Sequence, residues 1–417
     1  MTDYSISIFL DTRRIKTNEK YPVKLRVFTP NPRKQMLYPT IFDFTIDEFK
    51  DIWETLKPAK KYKEIKRKLN ELEEKALKIA EKIVPFTIEG FEKKINRRKD
   101  DGISIPYHYE ELIDELKKRD QFNTADTYSL SEKSIKKFTE EKLKKNYSKL
   151  TLLDITSDWL KDYEDYFTKE QNRSLTTVSM YLRVLRTIFN KAISEGEIEQ
   201  KSYPFGRRKY QVPATKNVKK ALSKAELKQL FVSECINEGQ QKSKDFWFFS
   251  FSCNGMNFKD IALLKYKDIH NDKIEFLRAK TTSTSKGNLK SITVYLNDYS
   301  KDFINKYGNE NKSPENYVFD ILSNDMTAEK KQKRVKDFIT NVNRRLKTLC
   351  KDNGLPESIS TYWARHSYAT NAIRKGASME FIQESLGHGN LKTTQGYFAG
   401  FDSESKKEFA TSIMNFD

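Results

Sequence analysis

The chain has 417 residues, more than one ordinary domain holds, and its 37% hydrophobic and 12% aromatic content is enough for real cores, so two or three folded domains are expected. Lys and Arg outnumber Asp and Glu by 77 to 59, a net charge of +18 that suits a polyanionic partner, with nucleic acid the default. No run approaches the ~18 apolar residues of a membrane span, and three cysteines (Cys235, Cys253, Cys350) are too few and too scattered for a disulfide framework or a zinc pattern, so they read as reduced thiols of a core.

Residues 1–98 open with strand signals. Ile6, Ile8 and Leu10 alternate with other residues, and Val23, Leu25 and Val27 alternate with Lys24 and Arg26. A third run over 35–44 follows a turn containing Pro30 and Pro32. After Pro58, Ile65, Leu69, Leu72, Ala76 and Ile79 recur at helical spacing. The expectation is a small α+β domain whose second strand offers a basic face, Lys24 and Arg26, to a DNA groove or simply to solvent. The charged stretch KKINRRKDDG then links to an all-helical segment, 103–212. Its clearest helix carries Val178, Leu182, Leu185, Phe189 and Ile193 as an apolar stripe, with Gly196 where the helix should end. Arg183 and Arg186 lie off that stripe, free to meet phosphates. The connector YPFGRRKYQVPATKNVKK leads into a third segment, 220–417. Ser223 and Glu226 form a capping box there, and two strands over 273–279 and 289–296 flank the turn TTSTSKGN.

Four stretches of this last segment carry residues suited to phosphate chemistry: CNGMNFKDIALLKYKDI (253–269), LRAKT (277–281), TYWARHSYAT (361–370) and LGHGNLKTTQGYF (386–398). In that order, with His388 nine residues ahead of Tyr397, they resemble the catalytic signature of the tyrosine recombinase (phage integrase) family, and most closely the integrases of conjugative transposons. The resemblance extends over the helical middle segment and the N-terminal sheet. It implies an N-terminal α+β arm-binding domain (1–98), an all-α SAM-like core-binding domain (103–212) and a mixed α/β catalytic domain (220–417). It also implies a site-specific recombinase that integrates or excises a mobile element.

The chemistry accounts for the residue types. A hydroxyl attacks phosphorus in line while negative charge builds on the non-bridging oxygens, and a covalent phosphotyrosine conserves the bond energy so that the strand is rejoined without ATP. The resemblance assigns the nucleophile to Tyr397, the phosphate clamp to Arg365, a phosphate hydrogen bond or proton movement to His388, and the general acid that protonates the leaving 5′-oxygen to Lys280. His366, beside Arg365, reads as a helix buttress. Two positions depart from the family pattern. Tyr362 stands where histidine is usual, and a phenol still donates to phosphate. Asn257 stands where the family has its first arginine, and an amide brings no charge. Arg278, two residues before Lys280, is the nearest replacement cation, and Asp260 supports the site from within.

The implied partners are double-stranded DNA at core and arm sites, three further copies of the chain in a homotetramer on DNA, and accessory DNA-bending or excision proteins. No membrane partner, cofactor or metal is called for; His108 and His270 are isolated. The start MTDYSISIFLDTRR shows no secretory signal, so a bacterial cytoplasmic location, on the nucleoid when DNA is bound, is expected. Two rivals stay open: a type IB topoisomerase, and a catalytically weakened DNA-binding regulator, which Asn257 makes worth carrying.

Overall fold

The structure is a computed structural model that describes residues 4–17, 19–96, 100–214, 220–279, 291–401 and 403–413. The chain forms two compact units, residues 1–115 with 127–213, and residues 116–126 with 214–417.

In the first unit the alternating apolar residues build an antiparallel sheet in the order β1 (Ser5–Leu10), β2 (Tyr21–Pro30), β3 (Arg33–Phe44). Ile8 pairs with Leu25 across it, and Val23, Leu25 and Val27 point into the core. The short α1 (Ile46–Phe49) starts at a capping box of Thr45 and Glu48. α2 (Lys63–Glu81) buries Leu69, Ala76 and Ala80, and α3 (Ile88–Ile95) adds Phe91 to the same core. Lys24 and Arg26 lie on the other face of β2. Lys24 is ion-paired with Asp11 at 2.7 Å, and the Arg26 guanidinium sits 5.1 Å from the Phe9 ring centre, so both are already engaged within the domain.

Four helices follow: α4 (Ile105–Lys118), α5 (Phe122–Lys137), α6 (Ser157–Asp165) and α7 (Leu175–Ser194). Ser174 caps α7, and Gly196, at φ +71°, lets the chain turn away just past its end. The buried stripe is wider than the sequence suggests. Val184 and Ile188 join Val178, Leu182, Leu185 and Phe189, because a helix packed among aromatic neighbours covers more than one narrow seam. Arg183 and Arg186 are exposed, as their place off the stripe requires.

The second unit is organised around α9 (Glu238–Ser252), preceded by α8 (Lys224–Val232), whose first turn holds the Ser223–Glu226 capping box. The run DFWFFSFS is apolar on nearly every side, the mark of a helix surrounded by protein. Phe246, Trp247 and Phe249 are fully buried, each worth roughly 1.5–3 kcal/mol of transfer free energy. α10 (Phe258–Leu263) leads to a small antiparallel sheet of β4 (Ile269–His270), β5 (Lys273–Leu277) and β6 (Ser291–Tyr295), with Ile274 opposite Val294. α11 (Asp298–Tyr307) and α12 (Ala328–Asp352) complete the main core. α13 (Thr361–Arg374) packs against α9, where the Trp247 indole N–H donates to the Ser360 carbonyl at 3.0 Å. α14 (Met379–Ser385), α15 (Leu391–Gln395) and α16 (Ser403–Ser412) end the chain. A separate small apolar cluster of Ala369, Ile373, Ile382 and Leu386 includes the ring of Tyr397. Cys253 and Cys350 are buried and Cys235 half-buried, all as free thiols. No helix among the described residues is long and apolar enough to cross a membrane.

Candidate active site

Arg365 lies on the buried side of α13, only 3% exposed. It is held there by an unusually close backbone approach. Gly255, in the turn between α9 and α10, has φ +65°, and a Cβ built on it would stand 2.7 Å from Arg365 Cα. Only glycine accepts both demands without strain. The Gly255 carbonyl accepts from Arg365 Nη1 at 3.0 Å, and the Leu386 carbonyl at the end of α14 accepts from Nη2 at 2.5 Å. Nη2 also lies 3.1 Å from His388 Nε2. Because a guanidinium only donates, His388 Nε2 is the acceptor and the ring proton sits on Nδ1, 3.0 Å from Thr394 Oγ1. Arg365 Nε is buried with no hydrogen-bond partner, a donor left over in a site built from donors. Burial, with the like charge of Arg278, pushes the Arg365 guanidinium down to about 10, still charged at neutral pH.

Tyr397 follows α15 at the turn that ends it, and its ring packs against this cluster. The Arg365 guanidinium carbon is 5.5 Å from its ring centre and the His388 ring 4.9 Å away. Its hydroxyl is 2.6 Å from that of Tyr362. Burial alone would raise the Tyr397 phenol. The hydrogen bond from Tyr362 and the charges of Arg365 and Arg278 outweigh it and bring Tyr397 below the ordinary phenol value. Tyr362 moves the other way, upward, through burial and its bond to Tyr397. Either hydroxyl can donate in the bond they share, and the cationic field of Arg365 and Arg278 favours Tyr397 as the oxygen that ionises. The sequence suggests Tyr362 as a phosphate donor; in the structure its hydroxyl is hydrogen-bonded to that of Tyr397.

Arg278 follows the last residue of β5 and is 7% exposed, tucked beside Gly387, where φ is +61° and an added Cβ would overlap Ile292. Its charge acts on Arg365, Tyr362, Tyr397 and Asp260. Asn257, by contrast, is the residue before α10, and its amide donates to Asp260 Oδ2 at 3.4 Å. Asp260 is buried, which raises its pKa, and its Oδ1 accepts from the Ala279 N–H at 3.0 Å. The α9–α10 turn is thereby tied to the backbone just ahead of Lys280. Lys280 itself lies outside the described residues. Lys24, Arg26, Arg183 and Arg186 belong to the first unit and are not part of this cluster.

Two contributors escaped the sequence reading: Thr370 donates to the Tyr397 carbonyl at 3.2 Å, and Thr394 holds His388. His366, expected as a buttress, supports Tyr397 as well, its ring stacked on that of Tyr397 at 4.4 Å with 22° between the planes. The spacing of 362, 366 and 370, every fourth residue on a helix, was the available signal.

The phage integrase SAM-like domain matches residues 107–212, and the phage integrase family matches residues 220–404. The tyrosine recombinase XerD of Oceanobacillus iheyensis is 23% identical over 244 residues, 56% of this chain and 74% of that one. The tyrosine recombinase XerC of Rickettsia bellii is 47% identical over 55 residues, 13% of this chain and 18% of its own. Among solved structures, the integrase of transposon Tn1549, in complex with a circular intermediate DNA, shares the fold. Its TM-score is 0.51 at 16% identity, covering 74% of this chain and 99% of that one. With both its helical middle segment and its arginine–histidine–tyrosine segment matched, the chain belongs to the phage integrase family and is a tyrosine site-specific recombinase.

Proposed function

We propose that this recombinase cuts and rejoins double-stranded DNA through a covalent 3′-phosphotyrosine at Tyr397, and so integrates or excises a mobile element. The observation that carries the reading is the Tyr397 hydroxyl itself. It is hydrogen-bonded to the Tyr362 hydroxyl at 2.6 Å, beside the charges of Arg365 and Arg278, which favour its ionised form.

The phosphate enters against Arg365, whose unpartnered Nε offers one donor and whose Nη groups offer more as they leave their carbonyls. Tyr397 gives its proton to His388 Nε2, which is freed as Arg365 turns to the phosphate, and its oxygen bonds to phosphorus. The imidazolium then donates to a phosphate oxygen. The bond to the 5′-oxygen breaks, and that oxygen takes a proton from Lys280, assigned by the family resemblance. Rejoining runs the same steps backwards, with a 5′-hydroxyl displacing the tyrosine.

Arg278 supplies the positive charge that Asn257 lacks. It is buried beside Arg365 and Tyr397, where charge stabilisation without solvent counts most. Residues 1–98 bind arm sites, with Lys24 and Arg26 exchanging internal partners for phosphates. Residues 103–212 hold the core site through Arg183 and Arg186, and residues 220–417 catalyse. The fold shared with an integrase held on circular-intermediate DNA supports DNA as substrate. Four protomers on two sites, with accessory DNA-bending or excision proteins, complete the reaction, which belongs in the bacterial cytoplasm on the nucleoid.

The test is a nicked core-site duplex that traps the intermediate. Wild-type protein should leave a covalent protein–DNA adduct, whereas a retired DNA-binding regulator would shift the duplex without one. Removal of residues 1–98 should abolish arm-site binding and spare core-site cleavage. A folded truncation that no longer cleaves the core site would overturn the division of labour.

A further inference from the structure

Tyr362, His366 and Thr370 follow one another at intervals of four on α13, which places them in a row along one face of the helix. Each touches a different part of Tyr397. The Tyr362 hydroxyl is on the Tyr397 hydroxyl at 2.6 Å. The His366 ring lies flat against the Tyr397 ring at 4.4 Å. Thr370 Oγ1 donates to the Tyr397 carbonyl at 3.2 Å and accepts from the Ala399 N–H at 3.1 Å. His366 Nδ1 lies 3.3 Å from the same carbonyl, and since a carbonyl only accepts, Nδ1 carries the ring proton and donates. His366 and Thr370 are both buried.

We infer that this row is a positioning ridge, which grips the nucleophile along its whole length and aims it for in-line attack. The inference rests on Tyr397 being the nucleophile. The physical need is plain. Tyr397 sits beyond the five-residue α15, on a short chain segment that by itself leaves the direction of the side chain open. Arg365, on the same helix, positions the phosphate. Mounting clamp and nucleophile seat on one rigid helix keeps their separation constant, and a misplacement of about 1 Å costs on the order of 10²-fold in rate. Tyr362 meets the reacting oxygen and so belongs to the chemistry; His366 and Thr370 act only through Tyr397.

The experiment uses the full chain on the nicked core-site duplex, with single-turnover adduct formation at saturating protein measured alongside DNA affinity and thermal midpoint. Thr370→Val keeps the shape and removes the hydroxyl, and Thr370→Ser keeps the hydroxyl. His366→Phe keeps a flat ring and removes the donor. Thr370→Val and His366→Phe should each slow adduct formation by roughly ten-fold or more with DNA affinity unchanged. Thr370→Ser should stay within a few-fold of wild type. Wild-type rates for both Thr370→Val and His366→Phe overturn the ridge, and so does a Thr370→Ser as slow as Thr370→Val, which would make the effect one of packing. If Thr370→Val does not fold, His366→Phe decides. Adduct formation by Tyr397→Phe would instead remove the nucleophile assignment, so the two failures are told apart.

Discussion

The two sides of the catalytic cluster are built differently. The α13–α15 side brings Arg365, Tyr362, His388 and Tyr397 within direct reach of one another, each side chain buttressed by a neighbour. The α9–α10 turn contributes mainly backbone: the Gly255 carbonyl holds Arg365, and Asn257 is turned onto Asp260 and not towards the tyrosine. The cation on that side is Arg278, delivered from the end of β5. A developing phosphate charge responds to where positive charge stands in space and how dry its surroundings are, not to which segment carries it. On the proposed reading, the charge missing at Asn257 is therefore supplied from a different segment on that side of the site.

That contrast can be broken by substitution, and the largest effect belongs to the dense side. Tyr397→Phe should bind its core site normally and form no adduct at all; an undiminished yield would move the nucleophile elsewhere. Next comes the relocated cation. Arg278→Ala should depress single-turnover cleavage by ~10²-fold or more at saturating protein while site binding holds. A wild-type rate there would reject the relocation and leave the compensating cation unidentified. Tyr362→Phe should be milder, roughly ten-fold at neutral pH. Its signature lies in the pH profile. In the wild-type protein the cleavage rate should rise with pH through an apparent midpoint below the ordinary phenol value, because the Tyr397 pKa is lowered. Removing the Tyr362 donor takes away one lowering contribution, so the midpoint should move upward; an unmoved midpoint would deny that Tyr362 tunes the nucleophile. The smallest effect is expected from Asn257→Ala. Its single long hydrogen bond to Asp260 is worth about 0.5–1.5 kcal/mol, no more than roughly ten-fold in rate even if all of it reached the transition state. A loss as large as that of Arg278→Ala would return the first-arginine role to this position.

Much of the fold is legible in order along the chain. The alternation of Val23, Leu25 and Val27 identifies a half-buried strand, and the apolar stripe with Gly196 past its end identifies α7, because these signals are local and repeat with the geometry of the element. Strand ends were less legible: β5 stops at Leu277, so Arg278 leaves the sheet and turns inward, where the sequence suggested two more strand residues. Lys24 and Arg26 likewise read as an open basic face, yet Asp11 and Phe9, on or beside the neighbouring strand, occupy them.

For the site, the motifs that carry the family resemblance point to Arg365, His388 and Tyr397, and the structure brings these three side chains together. What only the tertiary structure decided is how the departures from the family pattern are accommodated. The Tyr362 hydroxyl meets that of Tyr397, the His366 ring lies against the Tyr397 ring, and Arg278 takes its place beside Arg365. Each of these depends on how closely α13 can approach the Gly255 turn and how the segment around Tyr397 settles on Ile373, Ile382 and Leu386. Those distances come from the mutual burial of surfaces far apart in the chain, and burial of that kind leaves no periodicity in any one segment.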